Sequence, residues 1–158
     1  MQRNPITPEG YERLTAELKH YKSVLRPECV VAIAEARAHG DLSENAEYDT
    51  AKDRQGMVEA KIAHMETRVA TAEVIDVSKV PKTGLIIFGT TVDLLNVDTE
   101  EEVTYRIVSD YEADVKLGLI SYTSPIGRAL IGKAEGEEVR VQAPGGERAY
   151  EILEVKYT

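Results

Sequence analysis

The sequence predicts a two-domain α+β protein: an antiparallel coiled-coil hairpin over residues 1–76, then a small sheet domain over residues 77–158. Three observations support this division. Apolar residues recur three and four residues apart up to Ala72, which is typical of a coiled coil. An acidic segment that begins with Gly40 divides the repeat into two arms of similar length, so the arms fold back on each other. Beyond Asp76, short apolar runs alternate with turn residues, which indicates strands.

The first arm is predicted from about Pro8 to His39, with Thr7 as its cap and Pro8 at the first helical position. Its seam positions, spaced by three and four, are Tyr11, Leu14, Leu18, Tyr21 and Leu25. Pro27 lacks a backbone donor and crowds the preceding turn, so we expect a kink or short break there. Beyond it the seam residues are small, which predicts a slimmer distal half.

The second arm is predicted from about Ser43 to Ala72. Its seam positions also alternate by three and four, through Tyr48, Ala51, Gln55, Val58, Ile62, Met65, Val69 and Ala72. Arms of roughly 30 residues at about 1.5 Å per residue make a rod about 45 Å long. The bend, at about residues 40–45, would lie at its far end. A structural hairpin inside an ordinary helical bundle would show the same spacing.

In the second domain, apolar runs predict strands at residues 85–88, 91–97, 103–109, 119–122, 138–143 and 149–157. Residues 112–117 fit either a short helix or an irregular edge. Ser124 and Pro125 form a typical cap and first residue of a short helix that runs through Leu130. Pro144-Gly145-Gly146-Glu147 is a hairpin-turn signal. Together these elements predict a twisted, mostly antiparallel sheet with one short helix.

Charge and composition narrow the range of functions. The 19 basic and 28 acidic residues give a net charge of −9, which argues against binding to duplex DNA through phosphate neutralisation and favours a basic partner or a protein surface. No apolar run approaches the roughly 20 residues needed to cross a bilayer, and the N-terminus lacks a signal-peptide core. With Cys29 as its one cysteine, the chain has no internal disulfide, and we expect a cytoplasmic protein. Cys29 is interpreted as a core residue.

Asp41 and Glu44 are the leading candidates for chemistry, spaced i, i+3 at the mouth of a helix. In the simpler interpretation, Asp41 caps the second arm and Glu44 completes a capping box. In the functional interpretation, the two carboxylates form a hard-cation site for one Mg²⁺, with Asn45 and Glu47 nearby. Two carboxylates alone bind Mg²⁺ weakly, so a partner or a substrate phosphate would have to complete the site.

Other side chains near the bend could support such a site. Tyr48 falls on the seam and is predicted to pack there, although its hydroxyl could also orient a tip carboxylate. Arg37 and Lys52 lie within about three turns of the bend on opposite arms, where they could flank the end of a nucleic acid. A solvated helix face is the ordinary alternative for both. The three histidines are not clustered in the sequence, and nothing matches zinc-ligand spacing.

The segment from Ile33 to Tyr48, with Gly-Asp-Leu-Ser-Glu-Asn-Ala-Glu-Tyr at its end, resembles the tip signature of the GreA/GreB family of bacterial transcript cleavage factors. The run from Ser124 to Lys133, Ser-Pro-Ile-Gly-Arg-Ala-Leu-Ile-Gly-Lys, resembles the second domain of the same family. The resemblance covers almost the whole chain, in order and in spacing. The acidic net charge and a first arm without unusual basic content favour the GreA type over the GreB type.

The resemblance implies that the second domain is FKBP-like and docks on the rim of the secondary channel of bacterial RNA polymerase. We expect the docking residues to be Ser121, Ser124, Pro125 and Ile126. The hairpin then enters the channel, where the acidic pair helps to hold an Mg²⁺ that is bound only in complex with the polymerase. The polymerase itself cuts the backtracked RNA, so this protein is not an enzyme by itself.

Side chains around the acidic pair have supporting roles as hypotheses. Ser43 and Asn45 would orient metal-bound waters, and Tyr48 would support the tip. Arg37 and Lys52 would contact the nascent RNA near its 3′ end. We expect a monomer in solution with no membrane association.

Two alternative functions remain open. Relatives with altered tips suggest a channel-binding inhibitor without cleavage activity, but the tip here keeps the cleavage-type sequence. The FKBP-like resemblance also suggests a prolyl isomerase or peptide-binding module. Such a pocket requires several aromatic side chains, and this chain has one Phe, Phe88, and no Trp.

Overall fold

The computed structural model describes residues 2–40 and 45–158. The chain forms two compact units, one containing Tyr11–Ala72 and the other containing Arg3–Gly10 together with Glu73–Thr158. This differs from the predicted boundary at residue 76, because strand β1 (Asn4–Ile6) pairs with strand β2 (Ala72–Val74). The N-terminal residues therefore join the second unit, although they precede the first arm in the sequence.

The first arm is helical from Pro8 to Ala38, in three consecutive segments. They are helix α1 (Pro8–His20), a π-helical turn (Tyr21–Leu25) and helix α2 (Arg26–Ala38). The predicted cap is confirmed, since the Thr7 hydroxyl accepts a hydrogen bond from the Gly10 N–H at 3.0 Å. Instead of a break near Pro27, the chain forms the π-helical turn just before it, where the Arg26 N–H donates to the Tyr21 carbonyl. This wider turn lies next to the residue that cannot donate a backbone hydrogen bond.

The second arm is helix α3 (Ala46–Ala70), which begins three residues after the predicted start at Ser43. Its buried seam residues are Ala51, Val58, Ile62 and Met65, and those of α2 are Cys29, Ile33 and Ala36. The predicted coiled-coil seam is thus confirmed. Cys29 is buried against Val58 and Ile62, as expected of a core residue.

Ion pairs connect the two arms along the outside of the seam. The Arg26 guanidinium makes two hydrogen bonds of 2.8 Å to the Glu59 carboxylate. Two further pairs of 3.3 Å join Lys22 to Glu66 and Arg54 to Glu28. These pairs are exposed, so they specify which faces of the arms meet more than they stabilise the hairpin. No helix in the described part of the chain is both long and apolar enough to span a bilayer.

The second unit contains a five-stranded sheet in the order β5-β4-β3-β7-β6. Its strands are β3 (Thr91–Asn96), β4 (Glu102–Val108), β5 (Leu119–Ser121), β6 (Glu138–Ala143) and β7 (Gly146–Lys156). All neighbours are antiparallel except β4 and β5. Helix α4 (Pro125–Leu130) follows β5, and short 3₁₀ turns cover Val77–Lys79 and Val115–Leu117. The predicted α+β class and mostly antiparallel sheet are confirmed.

One predicted strand is wrong, namely residues 85–88. Leu85 forms only an isolated bridge with Ala134, and Gly89 has a positive φ of 90° that turns the chain. The run is apolar because Ile86 and Phe88 belong to the core under the sheet, where Phe88 packs edge to face on Tyr122 at 5.8 Å. Burial without strand pairing produced the misleading pattern.

Candidate functional site

The proposed metal ligands Asp41 and Glu44, and the supporting Ser43, lie outside the described residues. Their roles therefore stay predictions. The structure describes the chain on either side of them, up to Gly40 and again from Asn45, so the ends of the four-residue connection are defined.

The first arm ends at a glycine for a conformational reason. Helix α2 stops at Ala38, and the N–H groups of His39 and Gly40 donate to the carbonyls of Ala36 and Arg37, both at 3.2 Å. Gly40 has a φ of 103°, in the left-handed region that other residues rarely adopt. A glycine in this position is a typical helix C-terminus, and here it redirects the chain into the connection.

The second arm begins with Asn45 as its cap. The Asn45 side-chain Oδ1 accepts a hydrogen bond from the Tyr48 N–H at 3.1 Å. The helix begins at Ala46, later than the predicted start near Ser43, and its cap is Asn45; Asp41, which the sequence offered as a cap, lies outside the described residues.

Asn45 also bonds to the other arm. Its Nδ2 donates to the Ala36 carbonyl at 2.6 Å, so one side chain links the end of α2 to the start of α3. The half-buried side chain thus has protein partners for both its donor and its acceptor. These partners differ from the metal-bound waters that we expected it to orient.

Two further contacts cross between the arms near the bend. The Arg37 guanidinium carbon lies 5.8 Å from the ring centroid of Tyr48, which is a cation–π contact. Tyr48 is half-buried, as its seam position predicts. His39 Nδ1 and Glu47 Oε2 are 2.9 Å apart. The sequence did not predict this pair, because His39 and Glu47 lie on different arms and no spacing rule relates them.

The space between the arms near the bend is a shallow groove of about 560 Å³. Its lining includes the small residues Ala32, Ala36, Ala46 and Ala51, which is consistent with the predicted slim distal half. Lys52 is exposed, and its Nζ donates to Gln55 Oε1 at 3.3 Å. Within residues 2–40 and 45–158, no three acidic, histidine or cysteine side chains are placed to hold a metal ion.

Three of the four predicted docking residues have internal partners. The Ser124 hydroxyl caps α4 by accepting from the Gly127 N–H at 3.1 Å, which confirms its predicted capping role. Ser121 donates to the Asp110 carboxylate, and Ile126 packs against the core. Pro125, at the first position of α4, is exposed. This segment is therefore a well-ordered turn with Pro125 on its surface.

The chain matches known proteins over almost its whole length. The family described as "Transcription elongation factor, N-terminal" matches residues 4–74, and "Transcription elongation factor, GreA/GreB, C-term" matches residues 81–157. Transcription elongation factor GreA of Pseudomonas aeruginosa is 56% identical over 157 residues, which cover 99% of each chain. The GreA of Neisseria meningitidis serogroup A is 55% identical over the same share.

Two solved structures align with nearly the full length of the chain. The GreA factor homolog Gfh1 of Thermus thermophilus is 25% identical, covers 98% of this chain and 99% of its own, and has a TM-score of 0.44. The GreA/GreB factor of Nitrosomonas europaea is 24% identical, covers 99% and 100%, and has a TM-score of 0.43. The assignment depends on the two family matches and on the curated relatives. The chain belongs to the GreA/GreB family of transcription elongation factors.

Proposed function

We propose that the protein inserts its hairpin into the secondary channel of bacterial RNA polymerase and stimulates the polymerase's own cleavage of backtracked RNA, which rescues arrested complexes. The observation that carries the proposal is where the two helices end and begin on either side of residues 41–44. Helix α2 ends at Ala38 and helix α3 begins at Ala46 with Asn45 as its cap, so the residues Asp-Leu-Ser-Glu at positions 41–44 fall in the short stretch of sequence between the two arms. The protein contributes carboxylates to another active centre and is not an enzyme by itself.

The length of the hairpin supplies the necessary reach. Helix α3 has 25 residues, which at about 1.5 Å per residue gives about 37 Å. This is somewhat shorter than expected from the sequence, because α3 starts at Ala46 and ends at Ala70. A connection at the end of helices this long can act well away from the residues at their base.

Asp41 and Glu44 would hold Mg²⁺ at this connection, since carboxylate oxygens are the ligands that this ion prefers. When bound, the ion would lower the pKa of the attacking water and stabilise charge on the scissile phosphate. Helix α3 begins two residues after Glu44 in the sequence, and the positive end of its dipole favours anionic groups near its N-terminus. Arg37 and Lys52 are exposed and would contact the RNA.

Pro125 and its neighbours Ser121, Ser124 and Ile126 would dock the second unit on the polymerase. The internal hydrogen bonds of Ser121 and Ser124 give this surface a fixed shape, which reduces the entropy lost on binding. We further propose that the protein works in the cytoplasm as a monomer.

A transcript-cleavage assay on stalled polymerase complexes tests the proposal. The wild-type protein should shorten backtracked transcripts, whereas Asp41→Asn and Glu44→Gln should reduce cleavage to the level of polymerase alone. Asp53→Asn is the matched control, because it removes one exposed carboxylate from α3 and should retain full activity. Binding to polymerase should be similar for all four proteins.

Two results would contradict the proposal. If Asp41→Asn and Glu44→Gln both cleave at the wild-type rate, the metal assignment is wrong. If the wild-type protein blocks elongation without shortening any transcript, the protein is a channel-binding inhibitor.

A further inference from the structure

We infer that Asn45 is a positioning residue that clamps the two arms together at the bend, on either side of the segment that carries the acidic pair. The inference rests on the proposed cleavage function. It assigns Asn45 a role in holding the backbone, in place of the water-orienting role expected from the sequence.

The first step concerns hydrogen-bonding capacity at the helix ends. The last four carbonyls of a helix and its first four N–H groups have no partners within the helix. Ala36 contributes one such carbonyl at the end of α2, and Tyr48 contributes one such N–H at the start of α3. The Asn45 side chain serves both, at 2.6 Å and 3.1 Å respectively. It therefore satisfies a free donor at the start of α3 and gives the Ala36 carbonyl, which already accepts from the His39 N–H, a second hydrogen bond from the other arm.

The second step concerns residue type. Carboxamide side chains carry both a strong donor and a strong acceptor, whereas Asp offers only acceptors and Ala offers neither. Ser caps helices about as well as Asn but is shorter, so it replaces the bond to Tyr48 and not the bond to Ala36. The two hydrogen bonds of Asn45 can thus be separated by substitution.

The third step concerns what the clamp controls. Residues 41–44 are attached to Gly40 at one end and to Asn45 at the other. The Asn45 side chain bonds to the Ala36 carbonyl, and Ala36 lies four residues before Gly40. A hydrogen bond therefore ties the chain that follows this segment to the helix that precedes it. Ligands on a short connection keep a fixed separation only when its ends are fixed, and small displacements of catalytic groups cost large factors in rate.

The other contacts between the arms at the bend are less suited to this role. The side chains of His39 and Glu47 are 60% and 70% exposed. Arg37 is also exposed where it lies over the Tyr48 ring. Exposed pairs of long side chains exchange partners with water, whereas the Asn45 bonds involve backbone groups that are part of the helices.

The test compares Asn45→Ser, which keeps the cap, with Asn45→Ala, which loses both bonds. Thr50→Ala is the control, because Thr50 is exposed on α3 just beyond the first turn. Cleavage of stalled complexes is measured against factor concentration and against Mg²⁺ concentration. We expect Asn45→Ser to lower the cleavage rate at saturating factor by about fivefold, the effect of one hydrogen bond. The half-saturating factor concentration should not change, and the Mg²⁺ requirement should rise.

Amide hydrogen exchange on the free protein gives a readout that does not depend on cleavage. In Asn45→Ser, the His39 and Gly40 amides should exchange faster than in the wild type, because the end of α2 is released. The Tyr48 amide should stay protected in this variant and lose its protection in Asn45→Ala.

The inference is overturned if Asn45→Ser matches the wild type in saturated rate and in Mg²⁺ requirement. It is also overturned if only the half-saturating factor concentration changes, since Asn45 would then act in binding. If the wild-type protein itself fails to stimulate cleavage, the proposed function is lost and hydrogen exchange alone decides whether the clamp exists. Unchanged exchange at His39 and Gly40 in Asn45→Ser would then refute it.

Discussion

The Glu112 carboxylate accepts hydrogen bonds from the N–H of Thr7, at 3.2 Å, and from the Thr7 hydroxyl. Glu112 is only 7% exposed, and the N–H and hydroxyl of Ser109 also donate to it, at 3.2 Å and 2.8 Å. A buried carboxylate is tolerated when donors satisfy it in this way. Since Thr7 also caps α1, the Glu112 carboxylate holds the residue at which this helix begins.

Gly10 lies against this carboxylate, so Gly10→Ala should destabilise the protein by roughly 1–3 kcal/mol. A Cβ at position 10 would overlap the carboxyl group of Glu112. At an ordinary helical position the same substitution would stabilise by up to about 1 kcal/mol. The free energy of unfolding from urea titration measures the effect.

A double-mutant cycle identifies the cause. In a Glu112→Ala background the overlap is absent, and Gly10→Ala should become neutral or stabilising. Equal destabilisation in both backgrounds would show that contact with Glu112 is not the reason for glycine at position 10.

Ile62→Ala should destabilise the hairpin by about 2–4 kcal/mol, because Ile62 is fully buried beside Cys29 and Val58 and its truncation leaves a cavity. Met57→Ala on the same helix is the control. The Met57 side chain is 74% exposed, so its loss should change stability by less than about 0.5 kcal/mol. Unfolding followed by helical circular dichroism measures both. Similar effects for the two variants would contradict the seam packing described above.

Asp93 should make the second unit less stable in acid. A hydrogen bond from the Thr104 hydroxyl, 2.7 Å from Oδ1, lowers the pKa of Asp93, and the Lys156 ammonium, 3.1 Å from Oδ2, lowers it further. The Asp93 carboxylate therefore binds a proton less tightly in the folded state than in the unfolded state. The resulting stability is present above the unfolded pKa and is lost as pH falls through the folded pKa, that is, below about pH 4.

Thermal unfolding between about pH 6 and pH 2.5 tests this linkage. Asp93→Asn should flatten the decline in stability at acid pH, whereas Asp98→Asn, at an exposed position in the turn after β3, should keep the wild-type slope. An Asp93→Asn curve parallel to the wild type would rule out this carboxylate as a source of the acid sensitivity.

Local patterns predicted most of the fold. Each seam position of the second arm is buried or half-buried, and Ser124 caps α4 as its sequence indicates. The π-helical turn also has a signal, because the seam residues Tyr21, Leu25, Cys29 and Ile33 are separated by four residues three times in succession. In an α-helix each such step drifts by about 40°, and a turn with i→i+5 hydrogen bonds holds more residues and reduces the drift.

By itself, the sequence determined the two arms, the sheet and the acidic connection, since periodicity and turn residues act over a few neighbouring positions. Only the tertiary structure decided that Asn45 bonds to Ala36, that His39 pairs with Glu47, and that Glu112 holds Thr7 from 105 residues away. These contacts join residues that no short-range pattern relates. A buried donor or acceptor finds its partner only when packing brings the two segments together and removes the competing water.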